Sequence, residues 1–114
     1  MHKILNMHDW VSELPQALAQ EVVRRYVTRT LADGECLYRQ GSTAESCFRV
    51  ISGKLKICNF NHDGQELLHT YLIEGDCVGD PGLIINEPRM NCAFACGETK
   101  VGVLRLADFN ELYK

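Results

Sequence analysis

The stretch CFRVISGKLKICNFNHDGQELLHTYL, residues 47–72, decides the fold because its polar and apolar residues follow the period of a sheet. Its first five residues, CFRVI, are mostly apolar and predict a strand, which Ser52 and Gly53 end with a turn signal. Residues 54–60 then alternate between polar and apolar, as a half-buried antiparallel strand does. The tetrapeptide NHDG is typical of a hairpin turn, and the remaining residues return as a partner strand.

The same period of two continues on both sides of this stretch. It predicts further short strands at 27–31, 35–38, 77–79, 91–95 and 100–105. Glycine occurs at nearly every turn between them, and no proline falls inside a strand. About eight strands at roughly ten-residue spacing predict a mainly β fold, an antiparallel sandwich or barrel.

Helical periodicity is expected only near the two ends of the chain and in one loop. Within residues 9–27, Leu14, Leu18, Val22 and Tyr26 recur every fourth residue and form one apolar stripe. A stripe of this kind predicts a helix that packs on a sheet.

Composition and charge restrict the class of protein. The chain has 114 residues, 46% of them hydrophobic and 24% charged, which is typical of one globular domain. Its formal net charge of −3 disfavours nucleic-acid binding by this segment alone, because phosphate neutralisation needs clustered cations. No apolar run approaches the roughly 18 residues of a membrane span. The N-terminus carries charges within its apolar stretch, so no signal peptide is expected and the predicted location is cytoplasmic.

Six cysteines raise the question of disulfides, metal binding or redox sensing, and they are Cys36, Cys47, Cys58, Cys77, Cys92 and Cys96. None of them forms a C-x-x-C pair. Cys92 and Cys96 would share a strand face about 13 Å apart, too far to bridge. We interpret the cysteines as small buried hydrophobes, with a redox or metal role as the alternative.

One loop, residues 79–91, combines features of an anion site. Gly79, Asp80, Pro81 and Gly82 open a predicted short helix, and Arg89 follows it. The exposed N–H groups of a helix start and a guanidinium would point at the same space. The loop therefore predicts an anion pocket.

The order of these pieces resembles the cyclic-nucleotide-binding β-roll of the Crp/Fnr family of bacterial regulators, over essentially the whole chain. The residues that carry the resemblance are 31–35, 39–41, 48–56, 63–66, 75–76, 79–80, 87–89 and 103–109. The resemblance implies a double-stranded β-helix of the jelly-roll type. It implies one sensor domain over 1–114, with a helical part at 1–27, the β-roll at 28–105 and the start of an exit helix at 106–114.

Members of the family bind their ligand in a phosphate-binding cassette that reads Gly-Glu, a short helix, then Arg-Ser or Arg-Thr and Ala. Gly79 and Arg89 match this pattern, whereas Asp80 replaces the Glu, Met90 the hydroxyl residue and Asn91 the Ala. Because a lost charge-assisted hydrogen bond costs about 1.5–3 kcal/mol, we expect weak or absent binding of cyclic nucleotides. The resemblance implies an effector pocket formed by Gly79, Asp80, Gly82, Leu83, Arg89, Met90 and Asn91. We expect no metal and no other cofactor.

The resemblance implies the effector-sensing domain of a Crp/Fnr-type transcriptional regulator, homodimeric at full length and not an enzyme. The chain stops at Lys114, where a long dimerisation helix would begin, so we expect DNA contact only through a helix-turn-helix domain outside it. The expected partner is a small anionic effector, with no membrane. The alternative is a regulatory module of another signalling protein, such as a kinase or a channel. An enzyme of cupin-like shape would need a metal-binding group of side chains, which His62 and His69 do not supply.

Overall fold

The structure is a computed structural model that describes residues 10–78 and 88–112. It confirms the mainly β architecture and the positions of the predicted strands to within two residues. The strands are β1 (Val27–Leu31), β2 (Cys36–Tyr38), β3 (Ser46–Ser52), β4 (Lys54–Phe60), β5 (Glu66–Ile73), β6 (Cys77–Val78), β7 (Cys92–Ala95) and β8 (Thr99–Arg105). The helices are a short 3₁₀ helix (Trp10–Glu13), α1 (Gln16–Arg25) and α2 (Leu106–Leu112).

Two four-stranded antiparallel sheets form the roll. Sheet A has the order β1-β8-β3-β6, and sheet B has the order β2-β7-β4-β5. Within the described strands, β4 and β5 are the one pair that is adjacent both in the chain and in a sheet. The other turns carry the chain across to the opposite sheet, and this alternation produces the jelly-roll winding.

The turn at Gly53 makes one of these crossings, from β3 to β4. Gly53 has φ of +90°, and a Cβ there would lie 2.6 Å from the carbonyl oxygen of Glu98. Glycine is required because both the backbone angle and the close approach exclude a side chain. The buried Thr99 hydroxyl completes the crossing with a contact of 3.0 Å to the carbonyl oxygen of Lys54.

The main core lies between the two sheets, where the alternating strands direct their apolar residues. Leu55 and Ile57 of β4 face Val50 of β3 and Val101 of β8, and all four side chains are at most 1% exposed. Successive side chains of a strand point to opposite faces, so the residues between these core positions lie on the outer face of their sheet.

A second core forms on the outer face of sheet A, beneath α1. Val22 of α1 packs against Cys47, Cys77 and Leu104 of the sheet. The predicted stripe is confirmed, because Leu14, Leu18 and Tyr26 pack against the same cluster. None of the helices within residues 10–78 and 88–112 is long and apolar enough to cross a membrane.

Candidate functional site

Three of the seven predicted pocket residues can be placed. Arg89, Met90 and Asn91 form the connection that enters β7. The other four, which are Gly79, Asp80, Gly82 and Leu83, lie outside the described residues together with the predicted short helix.

The backbone of Arg89 is fixed to the loop between β2 and β3. The Arg89 N–H donates to the carbonyl of Ser42 at 2.7 Å, and the Gly41 N–H donates to the carbonyl of Arg89 at 2.8 Å. Thr43 and Pro88 form an antiparallel bridge beside these bonds. The end of the candidate loop therefore has a defined position against the loop between β2 and β3.

The side chain of Arg89 lies on two aromatic rings. Its guanidinium carbon is 4.6 Å from the ring centroid of Tyr38 and 5.1 Å from that of Phe48. The two rings are stacked, 5.8 Å apart and 9° from parallel. Nη2 of Arg89 also donates to the carbonyl of Ser46 at 2.5 Å. Residues of β2 and β3 thus orient the guanidinium.

The charge of Arg89 has no carboxylate partner in the part of the chain that the structure describes. The side chain is half-buried, and this burial lowers the pKa of Arg89 from its usual value, opposed by the neighbouring Tyr38 and Cys47. The guanidinium remains charged at neutral pH. Because buried charges are normally paired, a half-buried cation with no carboxylate partner among the described residues is a candidate anion-binding group.

Asn91 is held by the hydroxyl of Tyr38, which donates to Oδ1 of Asn91 at 2.8 Å. Burial raises the pKa of Tyr38, so its hydroxyl keeps the proton that this bond needs. Since Oδ1 accepts from Tyr38, the Nδ2 group is the part of Asn91 that can donate to a ligand. The asparagine therefore supplies a donor where the family pattern has alanine.

Met90 is fixed by its backbone and not by its side chain. Its carbonyl accepts a hydrogen bond of 2.7 Å from Nδ2 of Asn59 on β4, while the side chain is 53% exposed. Oδ1 of Asn59 contacts Nε2 of His69. His69 lies in β5 where the register with β4 shifts by one residue, between the partners Thr70 and Leu68.

Sequence reasoning missed the groups that surround Arg89, namely the rings of Tyr38 and Phe48 and the backbone carbonyl of Ser46. They come from β2 and β3 and are far from the loop in the chain. The alternation of polar and apolar residues predicted where the strands lie. It does not indicate which strand ends lie close together in the fold. Only the winding of the two sheets brings them to Arg89.

Two other features bear on the chemistry of the molecule. A surface cavity of about 530 Å³ lies on the outer face of sheet A, lined in part by Val23, Tyr26, Arg49 and Glu74, and thus apart from the inter-sheet aromatic pair. Among the described side chains, no three His, Cys, Asp or Glu residues converge as metal ligands would.

Residues 28–114 match the sequence profile of the family described as the cyclic nucleotide-binding domain. The fold is similar to the N-terminal domain of a transcriptional regulator from Streptomyces coelicolor A3(2), with a TM-score of 0.82 and 23% identity over 92% of this chain and 75% of that one. It is similar to the catabolite activator protein of Thermus thermophilus, with a TM-score of 0.81 and 22% identity over 91% of this chain and 49% of that one.

A third similar structure is the regulatory domain of Toxoplasma gondii PKA crystallised with cAMP. The TM-score is 0.79 and the identity 23%, over 90% of this chain and 40% of that one. These likenesses show a shared β-roll, which is the fold that the resemblance implied. Because the profile match spans most of its length, the chain belongs to the cyclic nucleotide-binding domain family.

Proposed function

We propose that the chain is the effector-sensing domain of a Crp/Fnr-type transcriptional regulator and binds a small anionic effector at Arg89. The observation that carries this proposal is the half-buried guanidinium, which has aromatic and carbonyl partners but no carboxylate among the described residues. An anion would supply the missing charge, and a planar carboxylate or phosphate suits the geometry of a guanidinium.

A short path leads from Arg89 to the exit helix. Nη2 of Arg89 binds the carbonyl of Ser46, and the neighbouring carbonyl of Glu45 accepts a 3.0 Å hydrogen bond from the N–H of Leu106. Leu106 is the first residue of α2. An effector that draws Arg89 away from Ser46 therefore acts next to the anchor of α2. We propose that this contact transmits binding to a DNA-binding domain outside the chain, as a two-state bias.

The second candidate is a regulatory module of another signalling protein. The likeness to a PKA regulatory domain supports it, because that domain has the same roll. The sequence of the parent protein beyond Lys114 distinguishes the two: a helix-turn-helix supports the first proposal, and a catalytic or membrane segment supports the second.

The role of Arg89 can be tested by a thermal-shift screen of nucleotides and small organic anions. We expect at least one anion to raise the melting temperature of the wild type, and Arg89→Ala to abolish that rise because the cationic partner is gone. Arg89→Lys keeps the charge but not the planar fork, so it should keep a reduced rise.

Arg24→Ala is the matched control, since Arg24 is exposed on α1 and paired with Glu21. This variant should respond to the anion like the wild type. An unchanged rise in Arg89→Ala would remove Arg89 from the site.

Cyclic nucleotides are expected to be poor ligands. Calorimetric titration with cAMP and cGMP should show no micromolar binding, because Asp80 and Met90 do not reproduce the ribose and phosphate contacts of the family cassette. The double variant Asp80→Glu/Met90→Ser restores the family residues and should bind cAMP at least tenfold more tightly than the wild type. Micromolar binding by the wild type would refute this expectation while leaving the role of Arg89 open to the first test.

A further inference from the structure

Two thiols face each other on the outer face of sheet B. Cys58 of β4 and Cys92 of β7 are direct partners in the antiparallel register. Their neighbours Ile57 and Ala93 belong to the inter-sheet core, so the cysteines alternate to the opposite face. Both are free thiols in the structure, at 0% and 4% exposure.

The ladder places this pair at a separation that a disulfide can span. The Cys96 N–H donates to the carbonyl of Lys54 at 2.9 Å, and hydrogen-bonded pairs recur at every second residue, so Cys58 and Cys92 are also a hydrogen-bonded pair. Such pairs have Cα atoms about 5.5 Å apart, within the range of disulfides. Their Cβ atoms are about 1 Å farther apart than a relaxed disulfide prefers, which favours a strained and easily reduced bond.

The other close cysteines lack this arrangement. Cys77 is opposite Arg49 in sheet A, so Cys47 is only its diagonal neighbour. Cys36 is opposite Phe94 in sheet B, which makes it diagonal to Cys92. Diagonal neighbours are about 7–8 Å apart, beyond direct bridging.

We propose that Cys58 and Cys92 are a reversible redox pair, which hydrogen peroxide or another hydroperoxide converts to a cross-strand disulfide. The inference goes beyond effector binding and does not depend on it. It concerns two thiols that are next in the chain to Asn59 and Asn91, and a covalent step that no effector requires.

The two thiols have different parts in this step. Cys92 makes the first attack, since its sulfur is fixed in position by the Gln40 N–H, which donates to it at 3.3 Å. The Cys92 thiol loses its proton as its sulfur attacks one peroxide oxygen and the O–O bond breaks. The departing hydroxide takes up that proton and leaves as water, and Cys92 becomes a sulfenic acid. Cys58 sulfur then attacks the Cys92 sulfur, forming the S–S bond and releasing a second water.

The overall reaction balances: two thiols lose two electrons and two protons, and one hydrogen peroxide becomes two waters. Burial raises the pKa of the Cys58 thiol, with a smaller contribution from Glu66. Cys58 therefore keeps its proton at neutral pH, and it gives up that proton to the departing hydroxyl of the sulfenic acid when its sulfur attacks Cys92. Excess dithiol reverses the reaction by thiol–disulfide exchange.

Peptide mapping after peroxide treatment tests the proposal. The reduced full chain is exposed to hydrogen peroxide, its remaining thiols are alkylated, and it is digested with trypsin. Cleavage after Lys56, Arg89 and Lys100 puts Cys58 in peptide 57–89 and Cys92 in peptide 90–100. We expect these two peptides to be joined after oxidation and separate after treatment with dithiothreitol.

Each peptide holds a second cysteine that provides a matched control, Cys77 in the first and Cys96 in the second. Cys77→Ser and Cys96→Ser should retain the link, whereas Cys58→Ser and Cys92→Ser should lose it. If serine at a buried site prevents folding, as circular dichroism would reveal, Cys58→Ala and Cys92→Ala replace those variants. A wild-type chain that stays unlinked, or a link that survives loss of Cys58 or Cys92, would overturn the proposal.

Discussion

Arg89 is oriented by stacked rings and a backbone carbonyl, and within the described residues its guanidinium donates one hydrogen bond, to Ser46. Tyr38 does two things here, since its ring faces the guanidinium and its hydroxyl holds Asn91. Cation–π contacts of this kind are worth about 0.5–2 kcal/mol. The anionic effector that we propose must therefore offer Arg89 more than the rings do if it is to move the side chain, and a carboxylate or phosphate can do so.

The buried Tyr38 hydroxyl predicts a loss of stability in alkali. Burial raises the pKa values of Tyr38, Cys36 and Cys58 in the folded chain. Above the unfolded pKa values, about 8.5 for Cys and 10 for Tyr, the unfolded chain holds fewer protons than the folded chain. The free energy of unfolding should then fall as the pH rises from about 8.5 to 11, and be independent of these groups below that window.

Urea unfolding at a series of pH values measures this fall. Tyr38→Phe should be less stable than the wild type by about 1 kcal/mol at pH 7, because it loses the hydrogen bond to Asn91. It should also show a shallower decline above pH 10. An equally steep decline in the variant would mean that Tyr38 does not titrate differently on folding.

At the scale of single elements, β3 contributes residues to both hydrophobic cores and to the surroundings of Arg89. Val50 faces the inter-sheet core, and Cys47 faces the second core beneath α1. The same strand begins at Ser46, which accepts the hydrogen bond from Arg89. A strand covered on both faces cannot shift easily, so it is a firm base for the guanidinium.

Helix α1 offers a matched pair of valines for testing the second core. Val22 is fully buried and Val23 is 51% exposed. Val22→Ala should lower the free energy of unfolding by about 1.5–3 kcal/mol, because two buried methyl groups are lost and a cavity remains. Val23→Ala should change it by less than about 0.5 kcal/mol. Chemical denaturation measures both, and equal losses would show that α1 does not pack through Val22.

At the scale of the whole molecule, most successive strands lie in opposite sheets. The two sheets pack on one shared core. Each sheet contains strands from both halves of the chain, as β1 pairs with β8 and β2 pairs with β7. Neither sheet can form completely before most of the chain has folded. We therefore expect a single cooperative unfolding transition.

Leu55 lies in the shared core, so its substitution tests whether the two sheets unfold together. Leu55→Ala should cost about 2–5 kcal/mol and shift one transition, without exposing a separate stable sheet. Leu67→Ala on β5 is the control, since Leu67 is 46% exposed and should cost far less. Circular dichroism and tyrosine fluorescence should give the same midpoint for each variant. Separate midpoints would show that the sheets unfold independently.

The amino-acid sequence alone determined the strands, most of the turns and the family. Alternation along residues 54–60 and glycines such as Gly53 and Gly64 are local signals, because side-chain period and positive φ depend on neighbouring residues. Arg89 was found in the same way, as one cation at a fixed place in a recognisable loop. The β-roll also followed from the order of these motifs.

Only the tertiary structure decided what surrounds Arg89 and which cysteines meet. Tyr38, Phe48 and Ser46 reach the guanidinium because the end of β2 and the start of β3, in different sheets, lie at the same side of the roll. Cys92 faces Cys58, and not Cys96, which is nearer to it in the chain. The register between strands that are distant in the sequence selects this pair. Sequence period specifies which face a side chain takes, whereas pairing and winding specify what it meets there.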